Sequence, residues 1–307
     1  MRLLLVVNES ASSVTARTRV IVRRALAAEH DVEEVATVRR NNATAIAMGA
    51  VHDGVDVVVG LGGDGTVNEL ANGLIGTDTA LGVLPGGSTN VFARSIGTPD
   101  DPVEAAGHLL GGLRAGTVER IGLGTVDGRV FTFHTGLGFD AAVVEAVEAR
   151  AKMKRYAGHP YYLWCTLTTW RNTDRREPLL RVELPDGEVI DDARFAVVLN
   201  TDPYTYLGSR PLHLAEEATL DRGLALVALR SLDARTLLGV AASALGTGAR
   251  LRRHRSVVHR TDLERLIVRG HREFPHQVDG DPLGSTRHLE LVHRPRSLSL
   301  VRPVAPG

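Results

Sequence analysis

Gly60-Leu61-Gly62-Gly63-Asp64-Gly65-Thr66-Val67-Asn68-Glu69-Leu70 is the stretch that decides how this chain is read. Val55-Asp56-Val57-Val58-Val59 before it is the short β-branched run of a buried parallel strand, and Thr66 to Leu74 after it has the spacing of an amphipathic helix. The glycines therefore fall at a strand-to-helix turn. They let the backbone turn tightly and let a ligand come close to it, while the first N–H groups of the following helix stay unpaired. Those donors and the positive end of the helix dipole favour a phosphate. Thr66 and Glu69 fit a capping box that would start the helix. A carboxylate at Asp64 repels a phosphate unless a cation lies between them, which points to a nucleotide with Mg²⁺.

Two familiar phosphate signatures do not apply. Gly60, Gly62 and Gly65 spell G-x-G-x-x-G, but the next strand, about Ala80 to Leu84, runs into Pro85-Gly86-Gly87 without the acidic residue that holds a ribose. No lysine followed by serine or threonine closes the turn, as a P-loop requires. A second strand, glycine turn and helix start follows at Leu81 to Arg94, with Ser88, Thr89 and Asn90 at its mouth. Gly-Gly-Asp-Gly-Thr together with Pro-Gly-Gly-Ser-Thr-Asn resembles the bacterial diacylglycerol kinase family, whose relatives include sphingosine and ceramide kinases. The first motif alone would also admit NAD kinases and phosphofructokinase-like enzymes.

The 307 residues exceed what one hydrophobic core usually serves, so two domains are expected. Acidic and basic residues balance at 36 each, which excludes bulk charge as an attraction to nucleic acid. All but two of the basic residues are arginine, a compositional bias without functional weight. Cys165, the single cysteine, sits in an apolar run and reads as a small buried hydrophobe. No leader and no run of transmembrane length is evident, so a cytoplasmic protein with peripheral membrane contact is expected.

Up to about residue 117 the pattern alternates: strand Arg2 to Val7, helix Ser13 to Ala28, strand Val32 to Val38, helix Ala43 to His52, the two glycine-turn units, and helix Asp101 to Leu113. This is an α/β domain with a parallel sheet binding ligands at the strand carboxyl ends, and the resemblance implies that it is of the NAD kinase and phosphofructokinase-like kind. Asn8 and Ser10 follow the first strand at that edge, and the resemblance adds them and Thr37 to the nucleotide site. Glu9 and Ser12 replace the family's proline and glycine there. From about 118 to 293 the texture turns to strands and hairpins, at Asp127-Gly128 and Pro185-Asp186-Gly187, with further strands at 195–199, 224–229, 263–268 and 289–293. Helices are expected from Phe139 to Lys154, Tyr161 to Trp170 and Ala234 to Arg253. The resemblance implies a β-sandwich whose last strand, from about 294, returns to the first domain, and an active site in the interdomain cleft.

Phosphoryl transfer needs a phosphate cradle, charge neutralisation and a group to take the alcohol proton. The resemblance assigns the nucleotide to Gly62, Gly63, Asp64, Gly65, Thr66, Asn68 and Glu69 of the first turn and Gly86, Gly87, Ser88, Thr89 and Asn90 of the second. Asp279-Gly280-Asp281 stands where the family carries Asp-Gly-Glu, so Asp281, or else Asp279, inherits the base; the bare residues read equally as a turn. Around Asp279 and Asp281, His271 and His276 match no familiar zinc spacing. The family's structural Mg²⁺ site corresponds to Asp221-Arg222-Gly223, where Arg222 replaces the principal carboxylate and leaves Asp221 as metal ligand; the cation weakens that metal site, or its guanidinium bonds the same carbonyls in place of the ion. Asp140 in Gly136-Leu137-Gly138-Phe139-Asp140 either orients a glycerol or caps a helix. Arg150, Lys152, Lys154 and Arg155, and Arg250, Arg252, Arg253 and Arg255 beside the apolar-faced segment 237–251, suit an anionic membrane surface. The resemblance thus implies transfer from ATP, with Mg²⁺, to the hydroxyl of diacylglycerol, giving phosphatidic acid. A sphingoid base, ceramide or another lipid alcohol is the alternative acceptor, and an inactive nucleotide or lipid sensor the alternative class. A homodimer is compatible with the sequence.

Overall fold

Strands that alternate with helices near the amino terminus, and strands that follow one another directly later, give two units in the computed structural model, which describes residues 1–149, 161, 164–173 and 177–305. One unit is Met1–Leu123 with the segment from Pro295 on; the other is Gly124–Arg294. The α/β-plus-β fold class expected from the sequence is the one the chain forms.

In the first unit β1 (Arg2–Val7), β2 (Asp31–Ala36), β3 (Val57–Gly62) and β4 (Ala80–Pro85) are parallel in the order β2-β1-β3-β4. Ser299 and Leu300, near the end of the chain's last strand, pair in parallel with Ala80 and Leu81 and extend the sheet beyond β4. Every residue of β3 and β4 is buried, as both-face coverage requires. Leu3, Leu5, Val57 and Val59 pack on Val22 and Leu26 of α1 (Ala16–Ala27) and on Leu109 of α5 (Pro102–Ala115). Burying each such side chain contributes about 1.5–3 kcal/mol. α2 (Asn42–His52) and α3 (Asp64–Leu74) pack together closely enough that a Cβ on Gly73 would stand 2.6 Å from the Cβ of Ala47. α1 starts later than expected, because Ser13 donates its N–H to the Gly86 carbonyl and Thr15 caps the helix through Thr18 N.

The second unit is mostly antiparallel. β5 (Val118–Val126) enters it and pairs with β6 (Arg129–Phe131) through Asp127 and Gly128, both left-handed. Then follow β7 (His134–Gly138), α6 (Phe139–Glu148), β8 (Leu180–Glu183), β9 (Val189–Ala193), β10 (Phe195–Leu199), the small hairpin β11 (Thr205–Leu207) and β12 (Arg210–Leu212), and β13 (Leu224–Leu229). α7 (Ala234–Ala244), β14 (Val257–Leu263), β15 (Arg265–Val278) and β16 (Asp281–Val301) complete it. β15 is the branch point: its first half pairs with β8 and its last residues with β7, so Leu180, Val182, Val198, Leu226, Leu266 and Phe274 converge in one core. The opposite faces of β10 and β13 carry Val197, Leu199, Val227 and Leu229 against Val143 and Cys165, the latter buried as anticipated.

Two expectations change here. The helix expected from Ala234 to Arg253 ends at Ala244, since Gly246-Thr247-Gly248 breaks it and Gly248 is left-handed; a 3-10 turn takes up Leu251–Arg253. β14 and the full lengths of β15 and β16 go beyond the strands read from sequence. The end of the helix expected up to Lys154, and the Arg150–Arg155 basic cluster, lie outside the described residues.

Candidate functional site

β3 and β4 deliver their glycine turns side by side. Gly86 N–H donates to the Gly62 carbonyl at 2.7 Å. A Cβ on Gly86 would stand 2.8 Å from the Cα of Gly62, and one on Gly87 2.8 Å from the Cα of Gly63. These glycines are therefore required by backbone packing on backbone, a reason that the phosphate argument did not contain. α3 begins at Asp64 with Gly63 as its N-cap and no side-chain cap, so its first-turn end remains suited to an anion.

The polar residues of the two turns bind them to each other. Asp64 accepts from Val91 N at 3.0 Å and from Phe92 N at 3.0 Å, capping α4 (Val91–Ser95) with both carboxylate oxygens. Asn90, left-handed and buried, accepts from Gly87 N at 2.8 Å and donates to the Gly87 carbonyl and to Asp100. Asn8 donates to Thr66 Oγ1 at 3.0 Å and accepts from Ser10 N, so the loop after β1 is tied to α3. Asn68 is buried within α3, where its side chain and carbonyl accept from Asn72. Ser88 is exposed and Thr89 half-buried at the mouth of the second turn, and Thr37 N–H extends the β1–β2 ladder to the Val7 carbonyl.

The capping box does not form. Glu69 accepts instead from Asn41 N at 2.8 Å and Ala43 N at 2.9 Å, so it caps α2 across the interface, and Thr66 serves Asn8. Two backbone amides of a neighbouring helix are stronger claimants for a carboxylate than the single amide that a box offers. Replacing Gly87 with alanine is expected to destabilise the fold by about 1–3 kcal/mol and to weaken nucleotide binding at least tenfold, because the added carbon meets main chain that cannot yield. A thermal melt and a titration with a fluorescent ATP analogue check both; unchanged binding would refute it.

In the second unit the turn between β15 and β16 is Asp279-Gly280, both with positive φ, and Asp281 opens β16. Asp279 is buried. It accepts from Thr132 N at 2.6 Å, Thr132 Oγ1 at 2.8 Å, Phe133 N at 3.0 Å and His134 N at 3.1 Å. Burial pushes its carboxyl up from the usual value, against the hydrogen bonds, which favour the charged form. Asp281 is partly exposed, 4.0 Å from Arg129 Nη2. Beside the turn, Gln277 donates to Asp140 Oδ2 at 2.8 Å and accepts from Gly280 N at 2.8 Å, and the Tyr204 hydroxyl donates to Asp140 Oδ1. A Cβ on Gly136 would collide with Asp140, which explains the glycine there. Asp140 therefore belongs to a side-chain network, and α6 has no side-chain cap. Sequence reasoning missed Gln277, Tyr204 and His134 in this network; the signal was the polar Gln277 in an otherwise strand-like run.

His134 lies in the same cluster, its ring 4.5 Å from that of Tyr204, and its buried Nδ1 has no hydrogen-bond partner among the described residues. Burial holds its imidazole below the ordinary 6.5, against Asp140 and Asp279; burial likewise holds down His30, His259, His276 and His293. Below 6.5 the unfolded chain takes up protons that the folded chain refuses. The stability these groups contribute is present above that value and is lost as pH falls toward the depressed folded values. His134→Phe should remove one proton from this linkage, flattening the fall by up to about 1.4 kcal/mol per pH unit. Urea unfolding of both proteins at pH 7.5 and 5.5 measures it, and parallel pH responses would sink the assignment.

Among the described residues no group of three His, Cys, Asp or Glu side chains is placed to hold a metal. His271 and His276 instead face the carbonyls of Asp191 and Gly284. Arg222 does not bond carbonyls in place of an ion. Its guanidinium pairs with Asp262 at 3.7 Å, and Asp262 also accepts from Gly223 N, because a second carboxylate offers the cation more than a neutral oxygen does. Asp221 is exposed. No described helix is long and apolar enough to cross a membrane.

Residues 2–147 match the family model of the diacylglycerol kinase catalytic domain. A Chromohalobacter salexigens protein named "Probable lipid kinase YegS-like" is 32% identical over 174 residues, 55% of this chain and 53% of that protein. A Bacillus subtilis diacylglycerol kinase is 37% identical over 114 residues, 36% of each chain. The chain thus spans about half, or less, of the length of these curated relatives. A crystal structure of a diacylglycerol kinase from Bacillus anthracis strain Sterne superposes with a TM-score of 0.77 at 22% identity, over 98% of this chain and 96% of that one, a likeness of fold. The segment that carries both glycine turns is thus the part of the chain that matches the diacylglycerol kinase catalytic domain family.

Proposed function

We propose that the protein is an ATP-dependent lipid kinase that transfers the γ-phosphoryl group to the hydroxyl of diacylglycerol, giving phosphatidic acid. The observation that carries this reading is the pair of stacked glycine turns, locked by Asp64 and Asn90, beside an α3 N-terminus without a side-chain cap. Main-chain amides of Gly63 to Gly65 and of Ser88 to Asn90 hold the nucleotide phosphates in this reading, with Thr66, Gly87, Asn8, Ser10 and Thr37 at the border. Mg²⁺ is commonly held by one or two carboxylates plus the substrate's own phosphates, so a single Asp64 beside the first glycine turn fits it. When bound, the ion would neutralise charge developing on the transferred group.

Asp281 takes the alcohol proton. It is the partly exposed carboxylate of the Asp-Gly-Asp turn, whereas Asp279 is buried and accepts from four donors. Asp140, held by Gln277 and Tyr204, orients the acceptor. The site is that of a peripheral enzyme at an anionic membrane surface. The test is transfer of labelled phosphate from ATP to a panel of diacylglycerol, ceramide and sphingoid-base micelles, with Mg²⁺ and with excess EDTA. Label in phosphatidic acid that EDTA abolishes is expected. Label only in a sphingolipid would reassign the acceptor, and ATP binding with no transfer to any lipid would overturn the kinase reading.

A further inference from the structure

Helix α7 and the arginine-rich segment after it form a surface that the phosphotransfer residues leave unused. α7 buries Thr236, Ser243 and Ala244, with Leu237 and Val240 half-buried on the core of Val227, Leu229 and Leu251. Its outer side carries Arg235, Leu238, Ala241 and Ala242 and ends at Leu245. Leu238 is 70% exposed and Leu245 50%, about two helical turns apart on one stripe. After the Gly246–Gly248 turn the chain folds back beside the helix, so that the His254 ring stands 3.6 Å from where a Cβ on Gly239 would be. Arg250, Arg252, Arg253 and Arg255 lie on this returning segment, and the first three line a shallow pocket with Ala249.

Charge decides what this face suits. Arg252 pairs with Glu217, and Asp233 accepts from the Ser231 hydroxyl and caps α7 through Thr236, bonds that lower its carboxyl to about 2, the Ser231 bond foremost. Arg235, Arg250, Arg253 and Arg255 have no carboxylate within 4.0 Å among the described residues. A second copy would bring these unpaired guanidinium groups against themselves across a two-fold contact. A bilayer with anionic headgroups complements both the apolar stripe and the cations beside it.

We infer that this face docks on an anionic lipid bilayer, with Leu238 and Leu245 entering the boundary between headgroups and acyl chains and Arg250, Arg253 and Arg255 holding lipid phosphates. The inference deepens the lipid-kinase reading by naming the surface that brings the enzyme to its substrate, and it rests on that reading. Each basic residue near such a surface is worth about fivefold in partitioning, so the three arginines together supply on the order of 100-fold.

The experiment is co-sedimentation of the full chain with vesicles that lack any kinase substrate, either pure phosphatidylcholine or with a third phosphatidylglycerol. Wild type, the triple variant R250A/R253A/R255A and the pair L238Q/L245Q are compared. Binding to the anionic vesicles alone is expected, weakened on the order of 100-fold in the arginine variant and at least tenfold in the leucine variant. Equal binding to both vesicles, no binding by wild type, or variants that bind like wild type would overturn the inference. So would a dimer in light scattering that L238Q/L245Q dissociates. Phosphorylation of a short-chain, monomeric diacylglycerol is measured in parallel; it persists in both variants if docking alone is lost, and is missing in wild type if the kinase reading is the one that fails.

Discussion

Asp279→Ala is expected to cost the fold about 3–5 kcal/mol and to leave little soluble protein at 37 °C. The carboxylate answers Thr132 N, Thr132 Oγ1, Phe133 N and His134 N, all buried. Each buried donor left unpaired costs about 1–3 kcal/mol, offset in part where water enters the cavity. Domains are stable by only about 5–15 kcal/mol in total, so the loss is a large fraction of what is available. Asp279→Asn should fall between, since its amide nitrogen cannot accept. Urea unfolding followed by near-ultraviolet circular dichroism measures both. A variant as stable as wild type that has lost all phosphotransfer would move the base role from Asp281 to Asp279.

Asp281→Asn has the opposite signature. Its pairing with Arg129 is long, and both side chains are about a third exposed, so its removal should change stability by less than about 1 kcal/mol. A general base contributes about 10²- to 10⁴-fold, and kcat should drop by that much while ATP binding is unchanged. Asp281→Glu restores the carboxylate with one more methylene and should retain measurable turnover. Initial rates with saturating ATP over a range of diacylglycerol separate kcat from KM; a kcat within fivefold of wild type for the asparagine variant would remove Asp281 from the mechanism.

The glycine turns are legible in the sequence because what they require is local. Strand residues, glycines and a helix start lie within a dozen positions, and a parallel α/β sheet follows from their repetition. Glu69 is misread for the same reason. A capping box and a carboxylate reaching to the next helix use the same residue three positions after a threonine, and only the packing of α2 on α3 decides between them. Asp279 is opaque to sequence for a stronger reason: its donors lie between 145 and 147 positions earlier in the chain, so nothing near the Asp-Gly-Asp turn signals that the first aspartate is buried. Gly136 is read as part of a motif, but its reason is the Asp140 carboxylate resting against it. Only the fold supplies Asp262 as the partner of Arg222, since the two lie forty positions apart.

The parallel pairing of Ser299 and Leu300 with Ala80 and Leu81 has a consequence for biosynthesis. The four-stranded sheet of the first unit can assemble as soon as residues up to Ala115 have left the ribosome, yet β4 then presents a bare, apolar edge. At about 5–20 residues per second the strand that covers it arrives roughly ten to forty seconds later. Gly111 and Gly112, whose missing Cβ atoms leave room for the carbonyls of Val304 and Arg302, stay uncovered through the same interval. Nascent chains stalled before residue 295 should therefore be those that chaperones hold and that associate through β4, while emergence of Ser299 and Leu300 closes the edge.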